Sequence, residues 1–302
     1  MNRKYKDKVK GFLIEGISLS SALIIVTITV VMFAVIFIGG KGQLSWEFLT
    51  SFPEDGMTKG GIFPAIYGTA LLVIIMTLAA VPFGTITAIY LTEYAKENSF
   101  MARTIRFAVR TLAVIPSIIY GLFGLGFFIK FVGVQMDNVF LGGQLKWGQP
   151  NILWASLTMA LLTLPVVIVS VEEALKTVPK ELRSASLALG ATKWQTIRKV
   201  VIPGSISGIL TGTILAVSRG AGEVAPILFT GAAYYVATLP GSLSDQFMVL
   251  GYHIYVMTTQ SANVDQTLPL QFGTTLVLLM LTFILNLFAI VIRYQIRKKK
   301  SE

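Results

Sequence analysis

Six long apolar stretches alternate with shorter polar ones along the chain. They lie near Ile17 to Ile38, Ile62 to Leu91, Phe107 to Val132, Ile152 to Val171, Ser205 to Thr230 and Phe272 to Ile292. Each reaches the ~20 residues a helix needs to cross a ~30 Å hydrocarbon core. The pattern predicts an all-α, polytopic membrane protein with six transmembrane helices. Pro82 removes a backbone donor from the second stretch and predicts a kink or a tilt there. Between the last two spans, Ser244 to Met257 is apolar and aromatic but too short to cross. It suits a short helix on the outer surface or tucked between spans.

Composition agrees, since 54% of the 302 residues are hydrophobic and only 13% are charged. The cations are placed unevenly. Arg3, Lys4, Lys6, Lys8 and Lys10 precede the first span, and Arg293, Arg297, Lys298, Lys299 and Lys300 follow the last. Lys96, Arg103, Arg106 and Arg110 lie beside the second loop; Lys176, Lys180, Arg183, Lys193, Arg198 and Lys199 lie in the fourth. The long loop from Gly231 to Gln271 has no Lys or Arg. By the positive-inside rule both ends face the cytoplasm. This topology accounts for the net charge of +10 and leaves nothing for nucleic-acid binding to explain. The first span is longer than a signal-peptide core and lacks a small-x-small cleavage pattern, so it reads as a retained anchor. With no cysteine, disulfides and thiolate chemistry are excluded. His253, the single histidine, reads as a packing residue rather than a metal ligand. One membrane domain is expected over 17–293, between a cytoplasmic segment 1–16 and a basic tail 294–302.

The fourth loop, 172–204, is rich in charges and helix formers and is broken at Pro179 and Gly190. This predicts two short helices joined by a bend in which Gly190 takes a left-handed conformation. The small residues Ser184, Ala185, Ser186 and Ala188 permit close approach of another protein. Trp194 and Ile197 offer apolar anchors, and Pro203 marks re-entry into the membrane. The plainer reading is an ordinary charged loop. The chain lacks a Walker A sequence: Gly39-Gly40-Lys41-Gly42 has the wrong spacing, and the glycines from Gly121 to Gly126 lie in an apolar span.

The fifth stretch contains Ala216-Val217-Ser218-Arg219-Gly220-Ala221-Gly222-Glu223-Val224-Ala225-Pro226. An arginine inside a span costs ~2.5–3.5 kcal/mol on insertion scales, so it is expected to face a cavity or a partner. Its planar, permanently charged fork fits a tetrahedral oxyanion. Glu223, one turn on, holds Arg219 at rest in this reading, with Ser218 and Gly222 beside it. In the alternative the two charges only neutralise each other. Gly220, Gly222 and Pro226 weaken the helix there, as in the broken helices of transport pathways. Gly204, Gly208 and Gly212 form GxxxG steps that read as a packing seam. In the third span, Pro116, Ser117 and Tyr120 are candidates either for lining the path or for bending and packing.

Arg183-Ser184-Ala185-Ser186-Leu187-Ala188-Leu189-Gly190-Ala191, with Val200, Ile202 and Pro203 at the matching distance, resembles the ATPase-docking EAA loop of ABC importer permeases. Ser184 replaces the motif's glutamate and Ser186 its second alanine; Glu181 offers a carboxylate one turn earlier. The segments Ala216 to Pro226 and Ile115 to Gly124 resemble the phosphate-specific PstA-type permeases. This resemblance implies a type I ABC importer (MetI-like) permease fold, with the first helix peripheral to a five-helix core. It implies a non-enzymatic transport subunit in the cytoplasmic membrane of a prokaryote, moving phosphate past Arg219. Ser184, Ala185, Ser186, Leu189, Gly190, Trp194 and Pro203 would couple it to the ATPase. The implied partners are a PstC-like permease, two PstB-like ATPase subunits and an extracytoplasmic PstS-like phosphate-binding protein. No cofactor is expected on this chain, ATP and magnesium being used by the ATPase. Rival readings are a permease for sulfate or molybdate, an ion-coupled secondary transporter, and a membrane scaffold or sensor.

Overall fold

The computed structural model describes residues 3–54, 59–96, 99–261 and 264–301. In chain order the helices are α1 (Arg3–Gly40), α2 (Trp46–Thr50), α3 (Phe63–Ile89), α4 (Phe100–Val114), α5 (Ser117–Phe123), α6 (Val134–Phe140), α7 (Ile152–Lys176), α8 (Lys180–Ala188), α9 (Lys193–Thr196), α10 (Ile202–Gly222), α11 (Leu250–Thr259) and α12 (Val264–Ser301). Strands β1 (Pro53–Glu54) and β2 (Lys59–Gly60) form a small antiparallel ribbon between α2 and α3. Wider π-helical turns extend α3 over Tyr90–Tyr94, join α5 to α6 over Gly124–Gly133 and lead into α10 over Ile197–Val201. Six helical segments are long and apolar enough to cross a bilayer: Gly11–Gln43, Phe63–Tyr94, Ser117–Phe140, Ile152–Lys176, Lys193–Gly222 and Asp265–Ile296.

The core lies where α3, α7 and α10 meet. Leu72, Val73 and Met76 pack there with Met159, Val167 and Val171, and with Ile209, Ala216 and Val217. In lipid this packing gains little from water exclusion, so close backbone approach matters more. The glycine seam supplies it. A Cβ at Gly204 would lie 2.9 Å from Val178, one at Gly208 would strike Ala174, and one at Gly212 would lie 2.9 Å from Ser170. Each forward step of four residues on α10 meets a backward step of four that starts at Val178, just past the end of α7, and continues along α7, as two antiparallel segments in register require. By contrast α1 is exposed along its apolar length and meets the bundle through α12, where Gly39 and Gly40 sit against Phe272. It is peripheral to the other five spans.

Several boundaries differ from the hydropathy reading. The expected third span, Phe107 to Val132, merges two elements, because α4 ends at Val114 and the crossing begins at Ser117. Ile115 precedes a proline and is extended (ψ 131°), and this stops α4. The expected fifth span, Ser205 to Thr230, is cut short: α10 ends at Gly222 and Glu223 is extended (ψ 135°). Gly220 and Gly222 are poor helix formers, and Pro226 follows within a turn, so Pro226 lies beyond the helix instead of breaking it. Residues 172–176, read as loop, form the last turn of α7. Helix α1 starts at Arg3 and α12 runs to Ser301, so helix continues through residues 3–16 and 294–301. Helix α3 continues through Pro82. The short outer helix is α11, tucked against α12 and α3.

Candidate transport site and coupling elbow

Arg219 lies in the last turn of α10, about 26 Å along the helix from Ile202 at ~1.5 Å per residue. Its charge complements the negative end of the helix dipole. The Nε atom stands 3.8 Å from Glu223 Oε1, too far for a hydrogen bond, and the Arg219 side chain is 39% exposed. Among the described residues it makes no hydrogen bond. An Arg placed four residues before a Glu is also the weaker order for a helical ion pair. The guanidinium is thus loosely held and open.

After Gly222 the chain tucks back into the bundle. Pro226, Ile227, Thr230 and Gly231 are buried, and Gly121 of α5 lets the Pro226 carbonyl approach to 2.8 Å of where a Cβ would stand. The backbone satisfies itself there: Ile227 and Leu228 donate to Val224, Thr230 and Gly231 donate to Ile227, and the Thr230 hydroxyl donates to Pro226. Irregular backbone at membrane depth requires this.

The other pathway candidates divide. Tyr120 is within electrostatic reach of Arg219, but it is buried and its hydroxyl donates to the Leu112 carbonyl at 2.7 Å, tying α5 to α4. Of its two candidate roles, this contact is the packing one. Pro116 stands at the bend before α5 and Ser117 opens the helix. Ser218 is exposed beside Arg219 with its hydroxyl bonded back to Ile214, and Gly222 ends the helix in open space.

At the other end of α10, α8 and α9 form an elbow. Gly190 adopts φ +85°, the left-handed conformation that turns the chain. Thr192 then caps α9 in a capping box with Gln195. The Ser186 hydroxyl lies 2.9 Å from that of buried Thr196 and closes α8 on α9. No residue of α8 is buried, and Leu182, Leu187, Leu189 and Trp194 are exposed, Leu189 by 90%. Ser184 and Ala185 are exposed with them, and Pro203 opens α10. Ile197 is a correction: it is 1% exposed and belongs to the core, because the π-helical turn rotates it inward.

Two largely buried carboxylates anchor this end. Glu93, on the turn that ends the second span, pairs with Arg183 at 3.0 Å. Arg183 also donates to the carbonyls of Val178 and Leu175. Glu172 of α7 pairs with Arg106 of α4 and, at 3.2 Å, with Lys176. Lys193 stands 5.1 Å over the Tyr94 ring. Sequence reasoning counted these cations as topology signals and passed over the carboxylates. Only the Glu172 to Lys176 spacing offered a local clue. Asp137 was missed too: buried at the far end, it accepts the amides of Lys146, Trp147 and Gly148 and pins the next loop. Among the described residues no group of three or more His, Cys, Asp or Glu is placed to hold a metal ion.

A bundle with a loosely held arginine at one end and an exposed elbow at the other is the plan of a transport-system permease. Residues 80–302 match the family described as binding-protein-dependent transport system inner membrane component, and the chain belongs to that family. Its six apolar helices are membrane spans of a transport subunit. Within the family the resemblance is to PstA-type ABC permeases. The chain is 37% identical over 218 residues to the phosphate transport system permease protein PstA of Yersinia pestis, covering 72% of this chain and 64% of that protein. It is 32% identical over 300 residues to the probable ABC transporter permease protein YqgI of Bacillus subtilis, covering 96% of this chain and 95% of that one. A solved bacterial ABC transporter that imports the acidic polysaccharide alginate superposes with a TM-score of 0.64 at 15% identity, covering 97% of this chain and 99% of that one. That likeness shows the type I ABC importer permease fold.

Proposed function

We propose that this chain is a permease subunit of an ATP-driven importer that carries inorganic phosphate across the cytoplasmic membrane of a prokaryote. The observation that carries the reading is Arg219: charged, 39% exposed at the end of α10, and only loosely held by Glu223. A tetrahedral oxyanion matches its fork of donors, and displacing a weak internal partner keeps affinity modest enough for release. The PstA relatives favour phosphate among the oxyanions.

The chain works in this reading with a PstC-like permease, two PstB-like ATPase subunits and a PstS-like binding protein outside the cell. It binds no cofactor of its own. ATP and magnesium act on the ATPase, which docks on the exposed apolar side chains of α8 and α9 and moves the elbow. The cation distribution supports a cytoplasmic elbow and cytoplasmic chain ends.

In the assembled complex, Arg219→Ala is expected to lower phosphate uptake roughly 10- to 100-fold or more, the cost of a lost charge-assisted contact, with the ATPase still co-purifying. Unchanged uptake overturns the pathway role. Strong competition by sulfate or molybdate assigns another oxyanion. Uptake that follows the proton gradient without the ATPase overturns the ATP-driven reading.

A further inference from the structure

A cavity of ≈ 580 Å³ opens at the elbow end, between the π-helical turn after α3, α4, the end of α7, and α8. It is far along the bundle from Arg219. Its walls carry Lys96, Arg106, Lys176, Lys180 and Arg183 against one lining carboxylate, Glu93. Behind them Glu172 and Glu173 offset part of this charge through Arg106 and Lys176. Lys96 and Lys180 have no carboxylate partner among the described residues. The cavity therefore keeps a positive surplus in a partly enclosed place, where it is screened less than on an open surface.

Two buried polar atoms of its lining residues also lack hydrogen-bond partners: the Thr92 hydroxyl and Arg183 Nε. The Thr77 hydroxyl in α3 is unpaired in the same way. Thr69, Thr87 and Thr158 return their hydroxyls to the carbonyl four residues earlier, whereas Thr92, on the wider turn, does not. Buried donors without acceptors are rare and costly. Both atoms can donate, and their residues line a cavity whose charged side chains are mostly cations.

We propose that this cavity binds a phosphate-type oxyanion, whose oxygens accept from Thr92, Arg183, Lys96 and Lys180. The group comes from a free ion in the aqueous phase at this end or from a phospholipid headgroup of the adjoining leaflet. Occupied, it ties α8 to the ends of α3, α4 and α7. The inference goes beyond the transport reading and does not depend on it.

The test uses the purified full chain in neutral detergent, with inorganic phosphate as one probe and phosphatidylglycerol, against phosphatidylcholine, as the other. Thermal stabilisation is read as a function of probe concentration. The double variant Lys96→Gln and Lys180→Gln alters only exposed side chains, so its fold is retained. It is expected to raise the half-saturating concentration about tenfold, and Thr92→Val several-fold. Sensitivity of the phosphate response to these variants assigns the free ion; sensitivity of the phosphatidylglycerol response alone assigns the headgroup. If neither response changes in the lysine or Thr92 variants, or if phosphate stabilisation disappears only with Arg219→Ala, the proposal is overturned.

Discussion

Arg183 gives its terminal nitrogens to Glu93 and to the carbonyls of Val178 and Leu175, with its side chain only 18% exposed. Arg219, at the far end of α10, reaches its carboxylate partner at 3.8 Å and is 39% exposed. The same side chain therefore has two fates in one bundle. At the elbow, the terminal nitrogens of the arginine join α8 to the ends of α3 and α7, and the carboxylate they meet, Glu93, is itself largely buried. Beyond α10 the charge is placed but not consumed. A charge tied to a largely buried counter-charge from another helix marks architecture; a placed, loosely paired one marks a position where a ligand's charge is the missing partner.

Removing the tied arginine should cost the most. Arg183→Ala leaves Glu93 buried without its counter-charge, with an expected loss of about 3–5 kcal/mol in unfolding free energy. A thermal melt of the purified chain measures it, and an unchanged melt would dissolve the contrast between the two ends.

His253 sharpens the contrast as a buried group whose Nδ1 has no hydrogen-bond partner among the described residues. Burial holds its pKa down at about 4, from an ordinary 6.5, and its Nδ1 lacks a hydrogen bond. As pH falls from 6.5 towards 4 the unfolded chain takes up a proton that the folded chain refuses, so stability is lost across that window. It is fully retained above 6.5, and the loss approaches roughly 3 kcal/mol near pH 4. Acid titration of stability should show this slope in the wild type and a flatter one in His253→Leu.

At the elbow, Ser186→Ala removes the hydroxyl that meets Thr196 and leaves a buried partner alone. The expected cost is about 1 kcal/mol, read as faster hydrogen exchange in α8 and α9. Smallest of all is the stability effect of Arg219→Ala, below about 1 kcal/mol because the pair is exposed and long. Its large effect falls on uptake. Should Arg219→Ala melt the protein while sparing uptake, the assignment of the two arginines would be reversed.

Much of this was legible in the residues. Six apolar runs announced six crossings, and the fourth-loop pattern announced an elbow turning at Gly190. The steps Gly204, Gly208 and Gly212 announced a packing seam, and the structure adds its partner, α7. The end of α10 was read too late, although the same Gly220, Gly222 and Pro226 that blurred it also explain it. Ile197 reads from sequence as an apolar anchor beside Trp194, yet on the wider turn it is buried in the core.

What the chain determined unaided is what short-range physics sets: which segments are apolar enough to span, where glycine and proline stop a helix, and which loops carry cations. Tertiary structure alone decided which charges are spent and which stay available. Arg106 meets Glu172 across 66 residues and Arg183 meets Glu93 across 90. Whether a carboxylate lies within reach of a guanidinium depends on how distant helices dock. No local window of sequence holds that distance, and it is what separates Arg183 from Arg219.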